Sequence, residues 1–315
     1  MNSTSVRRAF LPGIAALALA LSACGGQGGS DGASGDVAVD GSSTVYPLSN
    51  AANELLSEEN PDIKVSVGEA GTGGGFEVFC AGKTDISDAS RPIKEDEEAP
   101  VCADAGIEYT QLQVAVDALT VVTNNDLAID CLTTDQLKKL WEPAAEGKVT
   151  NWKQLDPSFP DEEIKLFGPG TDSGTFDYFT DAINGEEGAS RTDYEASEDD
   201  NVIVQGVSGT PGALGFFGYT YYEENTDKLK AVAVDSGAGC VAPSAETAQD
   251  GTYAPLARPL YIYVNNKSYT DKAQVKEYVD FYIDNLPKIS EAARFIGLND
   301  EQYAATKDAL SGIGG

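Results

Sequence analysis

Short runs of β-branched and aromatic residues recur along this chain with helical patterns between them, and that alternation constrains the fold more than any other feature. The runs read DIKVSVGEA (62–70), DALTVVTNN (117–125), EIKLFGPG (163–170), GALGFFGY (212–219), LKAVAVD (229–235) and PLYIYVNN (259–266), each about the length of a strand. Between them apolar residues recur at steps of three and four: Val45, Leu48, Ala52 and Leu55, then Phe176, Phe179 and Ile183. The second stripe runs into Asn184-Gly185, a C-terminal stop for a helix. Strand–helix alternation predicts an α/β protein with largely parallel sheets. The C-terminal segment is mostly helical in pattern, and no internal repeat points to a solenoid or propeller.

At the N-terminus, Arg7 and Arg8 precede the apolar run FLPGIAALALALSA. It is too short for a spanning helix and has the form of a secretory signal over residues 1–23. The signal ends in LSAC, the small-residue pattern of a bacterial lipoprotein cleavage box, which makes Cys24 the lipidated first residue; an ordinary soluble export signal is the alternative. The glycine-rich stretch that follows cannot bury anything, so residues 24–36 read as a flexible tether of roughly 20 Å reach. No later run is long enough to span a bilayer.

The rest of the 315-residue chain is long enough for two lobes rather than one core. The whole chain's 21 basic and 51 acidic residues give a net charge of −30, and loss of the signal, which carries Arg7 and Arg8, makes the balance more negative still. This argues against nucleic acid and against attachment to an anionic lipid surface by charge. The acidic runs KEDEEAP (94–100) and EASEDDN (195–201) read as solvated loops. Besides Cys24 there are Cys80, Cys102, Cys131 and Cys240, an even number that in an exported chain reads as two disulfides with three possible pairings. No C-x-x-C spacing and no histidine support a zinc site, and the missing histidine removes Ser-His-Asp and Cys-His nucleophiles. Carboxylate chemistry, or none, remains.

Asp172-Ser173-Gly174-Thr175 spells the motif around an aspartic-protease carboxylate, but such an enzyme needs two aspartates and the chain holds one copy of the motif. The same letters describe a polar turn opening a helix. Three other stretches share that form: Ser43 and Thr44 before Val45, Thr72 among glycines before Phe76, and Ser90 as an N-cap with Pro92 in the first turn. One such turn is ordinarily a cap. Four together suggest converging helix N-termini, whose free N–H groups and positive dipole ends suit a tetrahedral oxyanion. Donors at contact distance outweigh diffuse surface repulsion, which salt screens beyond about 8–10 Å. A phosphomonoesterase would need the same anion site, yet no metal cluster or histidine is evident to complete one.

GSSTVYPL, GTGGGFEVF, DISDASRPIK, LTTDQLKKLWEPAAEGKVTNWKQL and GPGTDSGTFDYF, in that order, resemble the successive motifs of the PstS family, the phosphate-binding proteins of bacterial phosphate ABC transporters, over residues 37–310. The resemblance implies a two-lobed type II periplasmic-binding-protein fold with two hinge crossings, near residues 114–117 and 257–259. Lobe 1 would comprise 37–115 with 258–315, and lobe 2 residues 116–257. It implies a monomeric receptor, not an enzyme and without a cofactor, that captures inorganic phosphate and delivers it to an ABC permease; sulfate and molybdate are the rival ligands.

Carried over residue by residue, Thr44 and Val45 match the first ligand contacts, Thr72 the second, and Ser173, Gly174 and Thr175 the third, with Ser43 and Asp172 beside them. Two positions depart: Ser90 stands where many members have a ligand-facing Asp, and Pro169 where they have an Arg. Arg91 is the candidate for the missing cation, because a guanidinium forks onto two oxygens, and Arg191 is a weaker one. Phosphate keeps a proton near neutral pH and sulfate does not, so an acceptor-only carboxylate would favour phosphate; Asp88, Asp172, Asp177 and Asp200 are the candidates. Pairing within lobes leaves the hinge free to close, which predicts Cys80–Cys102 and Cys131–Cys240.

The anchoring expectation is checked by fractionation. Cys24→Ser should move the protein from the membrane to the soluble fraction; unchanged partitioning would remove the lipoprotein assignment.

Overall fold

A computed structural model describes residues 32–314; the signal over 1–23, Cys24 and most of the tether lie outside the described residues. The strands are β1 (Gly35–Gly41), β2 (Ile63–Val67), β3 (Ile86–Ala89), β4 (Tyr109–Asn124), β5 (Cys131–Thr133), β6 (Lys165–Gly168), β7 (Glu195–Ala196), β8 (Ala213–Gly218), β9 (Leu229–Ala231), β10 (Ala233–Asp235), β11 (Cys240–Val241) and β12 (Ala257–Asn265). Among the described residues they form a nine-stranded sheet in the order β2-β1-β3-β12-β4-β8-β6-β7, with β9 also on β4, and a small sheet β11-β10-β5. The flanks are parallel, β1 with β2 and β3, and β6 with β7 and β8. The centre is antiparallel, because β12 runs against both β3 and β4, and β4 against β8. A largely parallel sheet is therefore the wrong expectation for the middle of the molecule: one chain that leaves a lobe and returns to it must cross in both directions.

The period-2 pattern predicts only the second half of β4, whose full length is 16 residues. LKAVAVD, which reads as one strand, splits into β9 and β10 on different sheets.

Two main apolar clusters occupy the two lobes. The first gathers Val39, Ile86, Leu112 and Ile262 from the sheet under Leu48, Ala52, Tyr278 and Tyr282 from the helices Tyr46–Glu59 and Ala273–Asp284. The second gathers Leu119, Val121, Leu166, Leu214 and Phe216 around Trp141, Phe176 and Phe179. The predicted stripes are buried except for Leu55, which is partly exposed; Val45 sits at the N-cap of its helix and Ile183 in the π turn Thr180–Asn184 that follows Gly174–Phe179, and Phe179 stacks on Phe216 at 3.9 Å between ring centroids. Burying one such ring contributes about 2–3 kcal/mol, which holds the C-terminal end of the helix Gly174–Phe179 against the sheet. Along β4 the cluster changes between Ala115 and Leu119, and on the return chain between Leu256 and Leu260.

Cys80 is bonded to Cys102 and Cys131 to Cys240, the pairing expected. The first joins the helix Gly71–Cys80 to Ala99–Asp104, and the second joins β5 to β11. Each lies to one side of the crossings, and by chain-entropy reasoning each contributes about 3–5 kcal/mol. No described helix is long and apolar enough to cross a membrane.

Asp88 is fully buried at the end of β3. Its carbonyl accepts the Ser42 N–H at 2.9 Å. Its side chain enters the layer between sheet and helices, where Oδ1 accepts from Ser49 Oγ at 2.9 Å and Oδ2 has no partner. Burial is the main cause that pushes its pKa up to about 8, with Asp40 adding and the Ser49 hydrogen bond opposing. The carboxyl is therefore largely protonated in the folded protein at neutral pH and ionised in the unfolded chain. Between about pH 4 and about pH 8 the folded state holds one proton more, so stability falls as pH rises through this window and levels above it. Asp88→Asn keeps the acceptor for Ser49 without an ionisable group. Its Tm should exceed that of the unmodified protein by more at pH 8 than at pH 5; a pH-independent difference in thermal melts would show Asp88 to be ionised in the fold.

Candidate functional site

The turns that begin three helices meet at one cavity of about 470 Å³ beside the crossing strands. From lobe 1 come Ser42, Ser43 and Thr44, ahead of the helix Tyr46–Glu59. Gly71, Thr72 and Gly73 come from the first turn of Gly71–Cys80. Gly174 opens the helix in lobe 2. Helix first turns carry N–H groups without intrahelical acceptors, so this wall is rich in donors. The glycines of GTGGG, read from sequence as a turn before the helix, lie inside it. The reason is contact: a Cβ at Gly75 would stand 2.5 Å from Gly41 Cα. A Cβ at Gly174 would come to 3.0 Å from Thr44 Oγ1, so the two lobes touch here across the cleft.

The side chains fall into three groups. Ser43, Thr44, Thr72, Ser90, Arg91 and Gly174 line the cavity. Ser90 does so from a loop, without the helix expected after it: the next helix is Ala99–Asp104. Its backbone N–H donates to Thr72 Oγ1 at 3.2 Å, and the two hydroxyls are 3.1 Å apart.

Val45 and Ser173 flank the site. Val45 is fully buried and donates its N–H to the Ser42 carbonyl. Ser173 caps its helix, accepting from the Thr175 N–H at 3.2 Å.

The remaining candidates lie elsewhere. Asp172 is exposed and outside the cavity lining. Thr175 and Asp200 line a separate cavity of about 150 Å³ behind the crossings, and Asp88 is in the core as described. Arg191 is 4% exposed and bound to Asp193 and to the Leu140 and Val149 carbonyls, which makes it a strut inside lobe 2. Arg91 reaches the cavity with its guanidinium already forked onto both Glu98 oxygens, at 2.7 and 2.8 Å.

The lining also contains groups the sequence reading missed or left undecided. Arg258, on β12, donates from Nε to Asp117 Oδ2 at 3.2 Å and from Nη2 to Thr44 Oγ1 at 3.1 Å. Its guanidinium lies 3.7 Å from the ring centroid of Tyr178. Asp117, directly opposite on β4, is buried at the edge of the smaller cavity behind; burial raises its pKa and the Arg258 guanidinium opposes the rise. The signal in the sequence was an Arg within one expected crossing and an Asp within the other. Asp177, Asp181 and Glu187 complete an acidic side of the cavity. Burial and Glu187 push the Asp177 carboxyl up, against the Arg258 guanidinium. Among the described residues no cluster of His, Cys, Asp and Glu could hold a metal ion.

Residues 26–285 match the model of the PBP superfamily domain. The chain is 49% identical to protein SphX of Synechococcus elongatus, over 85% of this chain and 79% of that one. It is 42% identical to the phosphate-binding protein PstS of Staphylococcus saprophyticus, over 94% and 91%. The crystal structure of a possible phosphate binding protein from Planctomyces limnophilus superposes with a TM-score of 0.84 at 42% identity, covering 90% of this chain and all of that one. With similarity of this extent, and a donor-lined cavity between two α/β lobes, the chain belongs to the PBP superfamily and, within it, to the family of PstS and SphX.

Proposed function

We propose that this protein captures inorganic phosphate between its lobes and delivers it to an ABC importer, as a lipid-anchored receptor rather than an enzyme. One observation carries the reading: Ser43 and Thr44, Thr72 and Ser90, and Gly174 bring hydroxyls and helix first turns from both lobes to one cavity that also receives Arg258. A tetrahedral oxyanion offers many acceptor oxygens and is satisfied by that set. Contact from both lobes ties occupancy to closure, the form a permease can recognise. Anchoring through Cys24 would hold the receptor at the outer face of the cell membrane beside that partner.

Asp177 gives the site its choice among oxyanions. It is the half-buried carboxylate of the lining, on the opposite lobe from Ser90. An ionised carboxylate only accepts, so it pairs with the proton that phosphate retains and repels sulfate, which has none to offer. A receptor for another oxyanion would lack this discrimination.

The test is calorimetry of phosphate, arsenate and sulfate against ligand-stripped protein. Phosphate should be preferred over sulfate by more than a hundredfold, roughly 3 kcal/mol, and Asp177→Asn should narrow that ratio to about tenfold or less by weakening phosphate and admitting sulfate. Equal binding of the two anions by the unmodified protein would reduce the reading to a general oxyanion receptor.

A further inference from the structure

We propose that Arg258, positioned by Asp117, is the cation that engages the bound anion, so that the hinge itself supplies the charged contact. The proposal rests on the oxyanion reading above and deepens it.

The geometry is specific. β4 and β12 are the two strands that pass between the lobes, and Arg258 stands opposite Asp117 in their register. Asp117 holds Nε from beneath. Thr44, in lobe 1, takes Nη2, and the Tyr178 ring, in lobe 2, lies against the guanidinium. Three groups from different elements thus fix its plane, and no protein acceptor for Nη1 is found among the described residues while the residue lines the cavity. A planar fork with spare donor capacity is suited to two oxygens of one anion. Arg91, the other cation in the lining, has both terminal nitrogens on Glu98 and a further bond to the Pro92 carbonyl. Glu98 neutralises it and occupies its end-on fork, which leaves only Nε and one Nη2 hydrogen uncommitted.

The arrangement also accounts for Asp117. A buried ion pair is a weak source of stability, because desolvation offsets the attraction, and this pair sits where the chain must bend. Its yield is direction: Asp117 faces one edge of the guanidinium and leaves another edge to the cleft. An Arg on a crossing strand is displaced least when the lobes rotate apart, so it stays aimed at the cleft while its contacts to Thr44 and Tyr178 separate. The pair also stands in for a cation at position 169, where this chain has Pro.

Phosphate affinity by calorimetry tests the assignment on stripped, full-length mature protein. Arg258→Gln should weaken phosphate by about thirtyfold or more, and Arg258→Lys should recover part of the loss by restoring charge without the fork. Asp117→Asn should weaken phosphate by a smaller factor. In the double variant Asp117→Asn with Arg258→Gln, the Asp117 change should add almost nothing, which a purely structural role for Asp117 would not produce. If Arg258→Gln fails to fold, as judged by thermal melting without ligand, Arg258→Lys alone decides: wild-type affinity in that variant overturns the need for the fork. Arg258→Gln within about threefold of the unmodified protein overturns the assignment, and additive losses in the double variant overturn the positioning role. If the unmodified protein binds sulfate and not phosphate, the phosphate reading fails, and the same comparison made with sulfate still decides Arg258.

Discussion

The antiparallel pairing of β4 with β12 is the constraint on which the rest of this molecule depends. Their register runs from Ala257 opposite Ala118 to Asn265 opposite Tyr109, with one irregularity at Leu260/Tyr261. β4 contributes Leu112 and Val114 to the lobe 1 cluster and Leu119 and Val121 to the lobe 2 cluster, while β12 contributes Leu260 and Ile262 to the first and Leu256, just before it, belongs to the second. The lobes can therefore be well packed separately while the connection between them stays narrow. That connection carries the Arg258–Asp117 pair, so on the proposed reading the point of flexure and the point of charge recognition coincide. The disulfides leave this freedom intact, because Cys80–Cys102 and Cys131–Cys240 each tie elements on one side of the crossings.

A net charge of −30 is an odd property for a protein proposed to hold an anion. The resolution is one of distance. Surface carboxylates act through solvent and are screened within about 8–10 Å, whereas hydroxyls, helix first turns and a guanidinium act at hydrogen-bond distance in a partly desolvated cleft. The cleft wall also holds Asp177, Asp181 and Glu187. On the proposed reading the carboxylate of Asp177 opposes a ligand that cannot present a proton, and so trades some affinity for discrimination. Asp88 shows the complementary case. Wholly buried beside Ser49, with its pKa raised to about 8, it serves the packing of lobe 1 in its neutral form and holds the Ser42 turn through its backbone.

Neither helix stripe needed the structure to be found. Val45, Leu48 and Ala52, and Phe176, Phe179 and Ile183, recur at helical steps, and all six are buried. Ser173 was legible as a cap for the same reason: its bond to the Thr175 N–H spans two residues. Ser90 misled, because a serine before a proline reads as a helix start, and here it leads instead into a loop that Arg91 and Glu98 hold together. Thr175 misled differently, since its neighbour Gly174 faces the cleft while it lines the cavity behind.

By itself, then, the sequence determined the α/β class, the two amphipathic helices, the hydroxyl-bearing turns and a chemistry without histidine, because each of these is set by residues within a turn or two of one another. Tertiary structure alone decided which charges are spent and which are available. Arg91 is neutralised by Glu98 at the cavity wall and Arg191 is held by Asp193 inside lobe 2, whereas Arg258 meets Asp117 from 141 positions away and has no protein acceptor for Nη1 among the described residues. The physical reason is that a guanidinium's role is fixed by what surrounds it in three dimensions. In this protein those surroundings come from strand register and from the meeting of two lobes, neither of which any local pattern records.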